Sequence, residues 1–284
     1  MKNSGIENSV FQQAVEAVTS GNISNLETLI AAHPGLLSER FLNGEEGYFQ
    51  DPYLLYYVAD NPIRVGALPS NIVELTAFLI DKIRKVGIDS LQQQLNYTLG
   101  LVVTDRTPKD SGVQIRMMDL LVESGAEPNG LLGALAYENI AAAKHLLALG
   151  TPLTLPAAVG LGLMGNTVRL VPESDQDEKL LALTVACFYG KEDMVSFLLN
   201  TGVNPNGYPK NEGFHSHATP LHQAVFSGSL SSVKLLVEAG AALHLTDKVY
   251  GGTPLDWAQH MQTENALDYS RKKKFAVIGD YLRR

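Results

Sequence analysis

Three histidines stand close together near the C-terminal end of this chain. His215 and His217 form His-Ser-His, and His222 follows five residues on. Imidazoles two residues apart suit zinc, copper or nickel. A structural zinc site needs four ligands, and this pair has no cysteine at metal-ligand spacing, so no metal is expected. His215 and His217 read instead as loop-tip residues open to a partner. Cys187 is the only cysteine. It follows Ala186 in an apolar run, where an unactivated thiol is inert. No Ser-His-Asp or paired-carboxylate arrangement stands out, so no catalytic residue is assigned and no enzyme is expected.

The segment Gly160-Leu161-Gly162-Leu163-Met164-Gly165 fits G-x-G-x-x-G. It resembles the Gly-Leu-Gly-x-Met-Gly turn of hydroxyacid dehydrogenases that use nicotinamide cofactors. Glycines of that kind let a pyrophosphate approach the backbone at a helix N-terminus. That chemistry requires a buried strand before the glycines and a β-α-β unit around them. Upstream lies Thr151-Pro152-Leu153-Thr154-Leu155-Pro156, and two prolines spoil a central strand. The glycines read as a helix-to-helix turn and no cofactor is expected. A nicotinamide oxidoreductase remains the rival enzymatic reading.

What positions these residues is a repeat. Thr219-Pro220-Leu221-His222-Gln223-Ala224 and Thr253-Pro254-Leu255-Asp256-Trp257-Ala258 place their threonines 34 residues apart. Thr219 can cap a helix and Pro220 suits its first turn. Leu221, Ala224 and Val225 follow at helical spacing, and Gly228 allows a reversal. A second helix is expected over Leu230 to Glu238, stopped by Gly240. The pattern resembles the ankyrin repeat: T-P-L-H-x-A, a glycine turn, a leucine-rich second helix and Gly-Ala. Looser copies lie around Ala186, Ala134, Leu120–Ala126, Tyr53–Gly87 and Phe11–Ala32. In the copy above Leu120 the first helix is expected over Thr98–Val103, followed by a loop from Thr104 to Gly112.

The resemblance implies an all-α solenoid of about eight stacked helix pairs forming a single domain over 1–284, degenerate in 1–178 and well formed in 179–284. The register alanines Ala134, Ala158, Ala186, Ala224 and Ala258 are 24, 28, 38 and 34 residues apart. A full unit needs about 33, so β-hairpin fingers are expected mainly in the C-terminal third, with a long one over Asn204–His217. Polar ends are expected to cap the array, through Gln12, Gln13 and Glu16 at the start and Ser270–Lys274 with Arg283 and Arg284 at the close.

By the same resemblance, the end of each first helix lines a concave face. Counting past the register alanines offers Tyr137, Phe188, Tyr189, Phe226 and His260 to that face. The fingers add His215, His217, Lys248 and Tyr250. Exposed aromatics on a rigid surface are typical anchors for a protein partner, so the resemblance implies a non-catalytic protein-interaction module. A scaffold that associates with itself is the other alternative, although a monomer is expected.

Bulk properties narrow the setting. The net charge of −8 repels phosphate backbones, so nucleic acid is not an expected ligand. A lone cysteine suits a reducing compartment, and Met1–Asn8 has no apolar core of a signal peptide, so a cytoplasmic location is expected. Leu146–Val168 lacks charge and is long enough to span a bilayer. Its two prolines, four glycines and several polar residues read as two short helices instead, and no membrane partner is expected.

Overall fold

Both Thr-Pro-Leu phrases open helices. Thr253 N–H and Oγ1 donate to Asp256 Oδ2 at 2.8 and 2.6 Å, and Asp256 N–H returns a bond to Thr253 Oγ1 at 3.2 Å. At the equivalent place His222 Nδ1 accepts from Thr219 Oγ1 at 2.8 Å and lies 3.3 Å from Thr219 N. Each arrangement uses one side chain to satisfy donors that a helix start leaves unpaired.

The computed structural model describes residues 8–42, 50–60, 66–210, 213–264 and 268–283. The chain divides into two compact units, 1–151 and 152–284. In the first, α1 (Asn8–Thr19) pairs with α2 (Ile23–Ala32). A 3-10 turn, Leu54–Ala59, precedes α3 (Ile72–Val86). Then come α4 (Leu91–Thr104), a short α5 (Arg106–Asp110) and α6 (Gln114–Glu123), and finally α7 (Leu131–Ala136) with α8 (Ile140–Ala148). The 3-10 turn packs between α1 and α4, and α4 in turn meets α7; α6 packs between α3 and α8.

Among the described residues the second unit holds four helix pairs: α9 (Leu155–Leu161) with α10 (Met164–Leu170), α11 (Gln176–Phe188) with α12 (Glu192–Asn200), α13 (Pro220–Phe226) with α14 (Leu230–Glu238), and α15 (Pro254–Thr263) with α16 (Tyr269–Leu282). The first helices form a row, with α11 between α9 and α13, and α13 between α11 and α15. The second helices α12, α14 and α16 form another. All five register alanines are fully buried. A methyl there lets neighbouring first helices approach, and a larger side chain would overpack the seam.

Three details differ from the sequence reading. Helix α4 starts at Leu91 rather than near Thr98, because Gln94 is buried and bonded to Leu37 O and Ser90 Oγ, which makes one residue of a polar run part of the core. The segment 104–112 contains α5, whose first turn is capped by Asp105 accepting from Thr107 N. No strand occurs among the described residues.

Side chains join the fingers instead. Asn206 donates to Gly240 O at 3.0 Å and accepts from Ala242 N at 2.7 Å, and Tyr208 Oη donates to Thr246 O at 2.7 Å. One backbone bond, Lys248 N–H to His217 O at 2.8 Å, adds to these. Residues 211–212 of the expected long finger, Arg284 of the closing cap and the first seven residues lie outside the described set. Among the described residues no helix is long and apolar enough to cross a membrane.

Candidate functional site

Phe188 ends α11 and Phe226 ends α13. Both helices are held by buried apolar residues, among them Leu183 and Ala186 on α11 and Leu221 and Val225 on α13. That packing brings the two terminal rings into a stack, 5.7 Å between centroids and 19° apart. The chain of rings continues in both directions. Tyr189 lies edge-on to Phe188 at 5.2 Å, and Phe214 lies edge-on to it at 5.3 Å. His215 meets Phe226 at 4.7 Å and Trp257 at 5.9 Å. His217 then reaches both Trp257 and Tyr250, at 5.9 and 5.8 Å.

The loop holding the two histidines has an unusual backbone. Phe214 and His215 both have positive φ, 47° and 49°, a region that side chains other than glycine seldom adopt. The turn drives the Phe214 ring inward, where it is 3% exposed. It leaves His215 half-buried, with Nδ1 3.3 Å from Gln223 Oε1. Burial pulls the His215 imidazole below its ordinary value, against a smaller opposing effect from Gln223. His222 sits fully buried below, its Nε2 donating to Gly252 O at 3.0 Å. Burial likewise lowers its pKa. His222 therefore ties the helix start of α13 to the loop before α15.

Asp247 organises the other side. Its carboxylate accepts from Val249 N, Tyr250 N, Gly252 N and the Trp257 indole N–H, at 2.9, 2.6, 3.0 and 3.0 Å. Burial alone would raise its pKa, yet these bonds outweigh burial and hold the carboxyl far below the usual range. His217 Nδ1 lies 3.3 Å from Asp247 Oδ1. His217 Nδ1 makes no hydrogen bond there. The result is a cleft of about 620 Å³ lined by His215, His217, Phe226, Tyr250, Trp257 and His260, with Gly252, Asp256 and Met261 completing it.

Most of the residues singled out from the sequence in the second unit thus meet: Phe188, Tyr189, Phe226, His215, His217, Tyr250 and His260 belong to one ring-lined surface. Lys248 has a different place, its ammonium 4.2 Å above the Tyr208 ring. Tyr137 belongs to the first unit. It is 69% exposed and lines a recess with Asp60, Thr107 and Asn139. Trp257, Phe214 and Asp247 went unnoticed. Trp257 occupies the fifth place of the Thr-Pro-Leu phrase, and as the chain's single tryptophan it carried a signal that periodicity does not weigh.

The glycine segment lies in the α9–α10 turn. Gly160 is buried within α9, Gly162 ends that helix with φ +76°, and Gly165 belongs to α10. The residues before them form α9 where a dinucleotide fold needs a strand. Cys187 is fully buried on α11, and burial pushes its thiol well up, away from the reactive thiolate.

Residues 131–247 match a family described as ankyrin repeats, in three copies. Within that stretch the chain carries ankyrin repeats. The matched ankyrin segment runs from α7 through Asp247, so it includes the imidazole loop and stops short of Trp257. The potassium channel GORK of Arabidopsis thaliana is 40% identical over 79 residues, which is 28% of this chain and 9% of the channel. Among solved structures, the human ASB11 ankyrin repeat domain aligns over 93% of this chain and 96% of its own, with 18% identity and a TM-score of 0.36.

Proposed function

We propose that this chain is a non-catalytic recognition module that docks a partner protein on the ring-lined surface of its second unit. Ankyrin repeats generally serve protein interaction, and the partner remains to be identified. The observation that carries the reading is the unbroken series of rings from Tyr189 through Phe188, Phe226, His215, Trp257 and His217 to Tyr250. These rings come from two helix ends, α15 and two loops, and they flank an open cleft. Large, stiff aromatic side chains lose little entropy on contact and supply most interface anchors. Tyr250 is 82% exposed, an apolar area left in water unless something covers it. His260 completes the cleft lining, while Lys248 above Tyr208 and Tyr137 in the first unit are proposed as separate partner contacts.

The module is further proposed to act as a monomeric single repeat domain over 1–284, in the cytoplasm, without nucleic acid or cofactor. The test is affinity capture from the native host with the wild-type chain beside a Tyr189→Ala, Phe226→Ala, Tyr250→Ala variant. Loss of a specific captured protein, with circular dichroism unchanged, supports the reading. Equal capture by a folded variant overturns it. Light scattering over a concentration series separates this from self-association, which would show a rising mass.

A further inference from the structure

We infer that the cleft beside Trp257 receives an arginine side chain presented by the partner protein. The inference rests on the docking reading above and adds the chemistry of what enters.

Faces and edges of π systems make up most of the wall: Phe226, Tyr250, Trp257 and the rings of His215 and His217. Ring faces carry negative potential and attract cations. Among the described residues Asp256 is the one lining carboxylate, and hydrogen bonds from the Thr253 hydroxyl and N–H keep it ionised. Both bonds fall on Oδ2, at 2.6 and 2.8 Å, and Oδ1 takes neither. A second carboxylate stands behind the wall, where Asp247 accepts the Trp257 indole N–H. A negative charge at the indole edge makes its ring face a better cation acceptor.

His215 and Lys248 bring little competing positive charge to the cleft. Burial keeps the His215 ring toward its neutral form. The ammonium of Lys248 is engaged above Tyr208, outside the cleft lining. The chain's net charge of −8 also steers basic partners toward it. Among cations, the guanidinium is planar, weakly hydrated and able to stack between rings while donating to a single carboxylate oxygen. A compact ammonium gives up more hydration and stacks on nothing. An open cleft of about 620 Å³ suits a plate entering between walls.

Trp257 is the only tryptophan and stands in the wall, so its fluorescence reads occupancy of the cleft. The full chain is titrated with the blocked peptide Gly-Gly-Arg-Gly-Gly and with versions carrying citrulline, lysine or trimethyllysine at the centre. The expected result is saturable change with arginine at roughly millimolar concentration. Citrulline, which keeps the shape and loses the charge, binds about tenfold more weakly or worse, and lysine about threefold more weakly. Asp256→Asn keeps an acceptor for Thr253 and weakens arginine about fivefold, with circular dichroism unchanged.

Equal response to citrulline overturns the inference. Equal or tighter binding of lysine or trimethyllysine overturns the assignment to arginine. Shifts of the His215 and His217 ring protons give a second readout, and silence in both also overturns it. If the peptides fail while the Tyr189, Phe226, Tyr250 variant still loses its partner, the docking surface stands and only the arginine falls.

Discussion

The Trp257 indole N–H donates to Asp247 Oδ2 at 3.0 Å across ten residues, which fixes the largest ring of the cleft to a carboxylate that also gathers three backbone N–H groups. Asp247 is 2% exposed. Asp247→Ala would leave four donors without an acceptor, so it is expected to cost about 3 kcal/mol in a urea titration and to move Trp257 emission to longer wavelength. Asp247→Asn, which keeps one acceptor oxygen, is expected to cost less. A loss below about 0.5 kcal/mol for the alanine variant would show that these bonds are worth little.

Acid should act in two windows. His222 and His215 have folded pKa values lowered by burial, so the folded state prefers their neutral forms. Their contribution is full above the unfolded value of about 6.5 and declines as pH falls below it. Asp247 has a folded value below its unfolded one of about 3.9. Its contribution is therefore full above that pH and is lost only as pH drops further. Thermal melts from pH 8 to pH 3 should show the first decline near 6.5, and His222→Gln should flatten it. An unchanged profile in that variant would assign the decline to other groups.

Surface and core should separate cleanly. Tyr250→Ala removes a ring that is 82% exposed and is expected to change stability by less than about 0.5 kcal/mol. The same change should weaken partner binding about tenfold or more. Leu236→Ala empties a fully buried position and is expected to cost about 2–5 kcal/mol. Chemical denaturation and a binding isotherm on both variants check the contrast.

Gly162 ends α9 at φ +76°, where any other L-residue is strained. Gly162→Ala is expected to cost about 1 kcal/mol. An oxidised or reduced nicotinamide dinucleotide is expected to leave the melting temperature unchanged, because a ligand that binds only the folded state would raise it. A concentration-dependent rise would restore the oxidoreductase reading.

Helix positions were legible wherever repeat chemistry was complete. Thr219-Pro220, Gly228 and Gly240 bound α13 and α14 at residues 220–226 and 230–238, as their turn and capping preferences require. Upstream the signals thin. The polar Gln92-Gln93-Gln94 hides the start of α4, since only tertiary bonds turn Gln94 into a core residue. The aromatic surface was legible at Phe188 and Phe226, whose helix-end places follow from register. Phe214 was not, because its burial depends on a left-handed backbone that no local pattern announces. Trp257 and Asp247 were missed for a related reason: their bond joins a helix to a loop, and periodicity describes each element separately.

Asn206 and Tyr208 bridge successive fingers through their side chains. A partner arriving here therefore meets fingers already tied to one another, and holding them in place costs it less freedom than separate loops would.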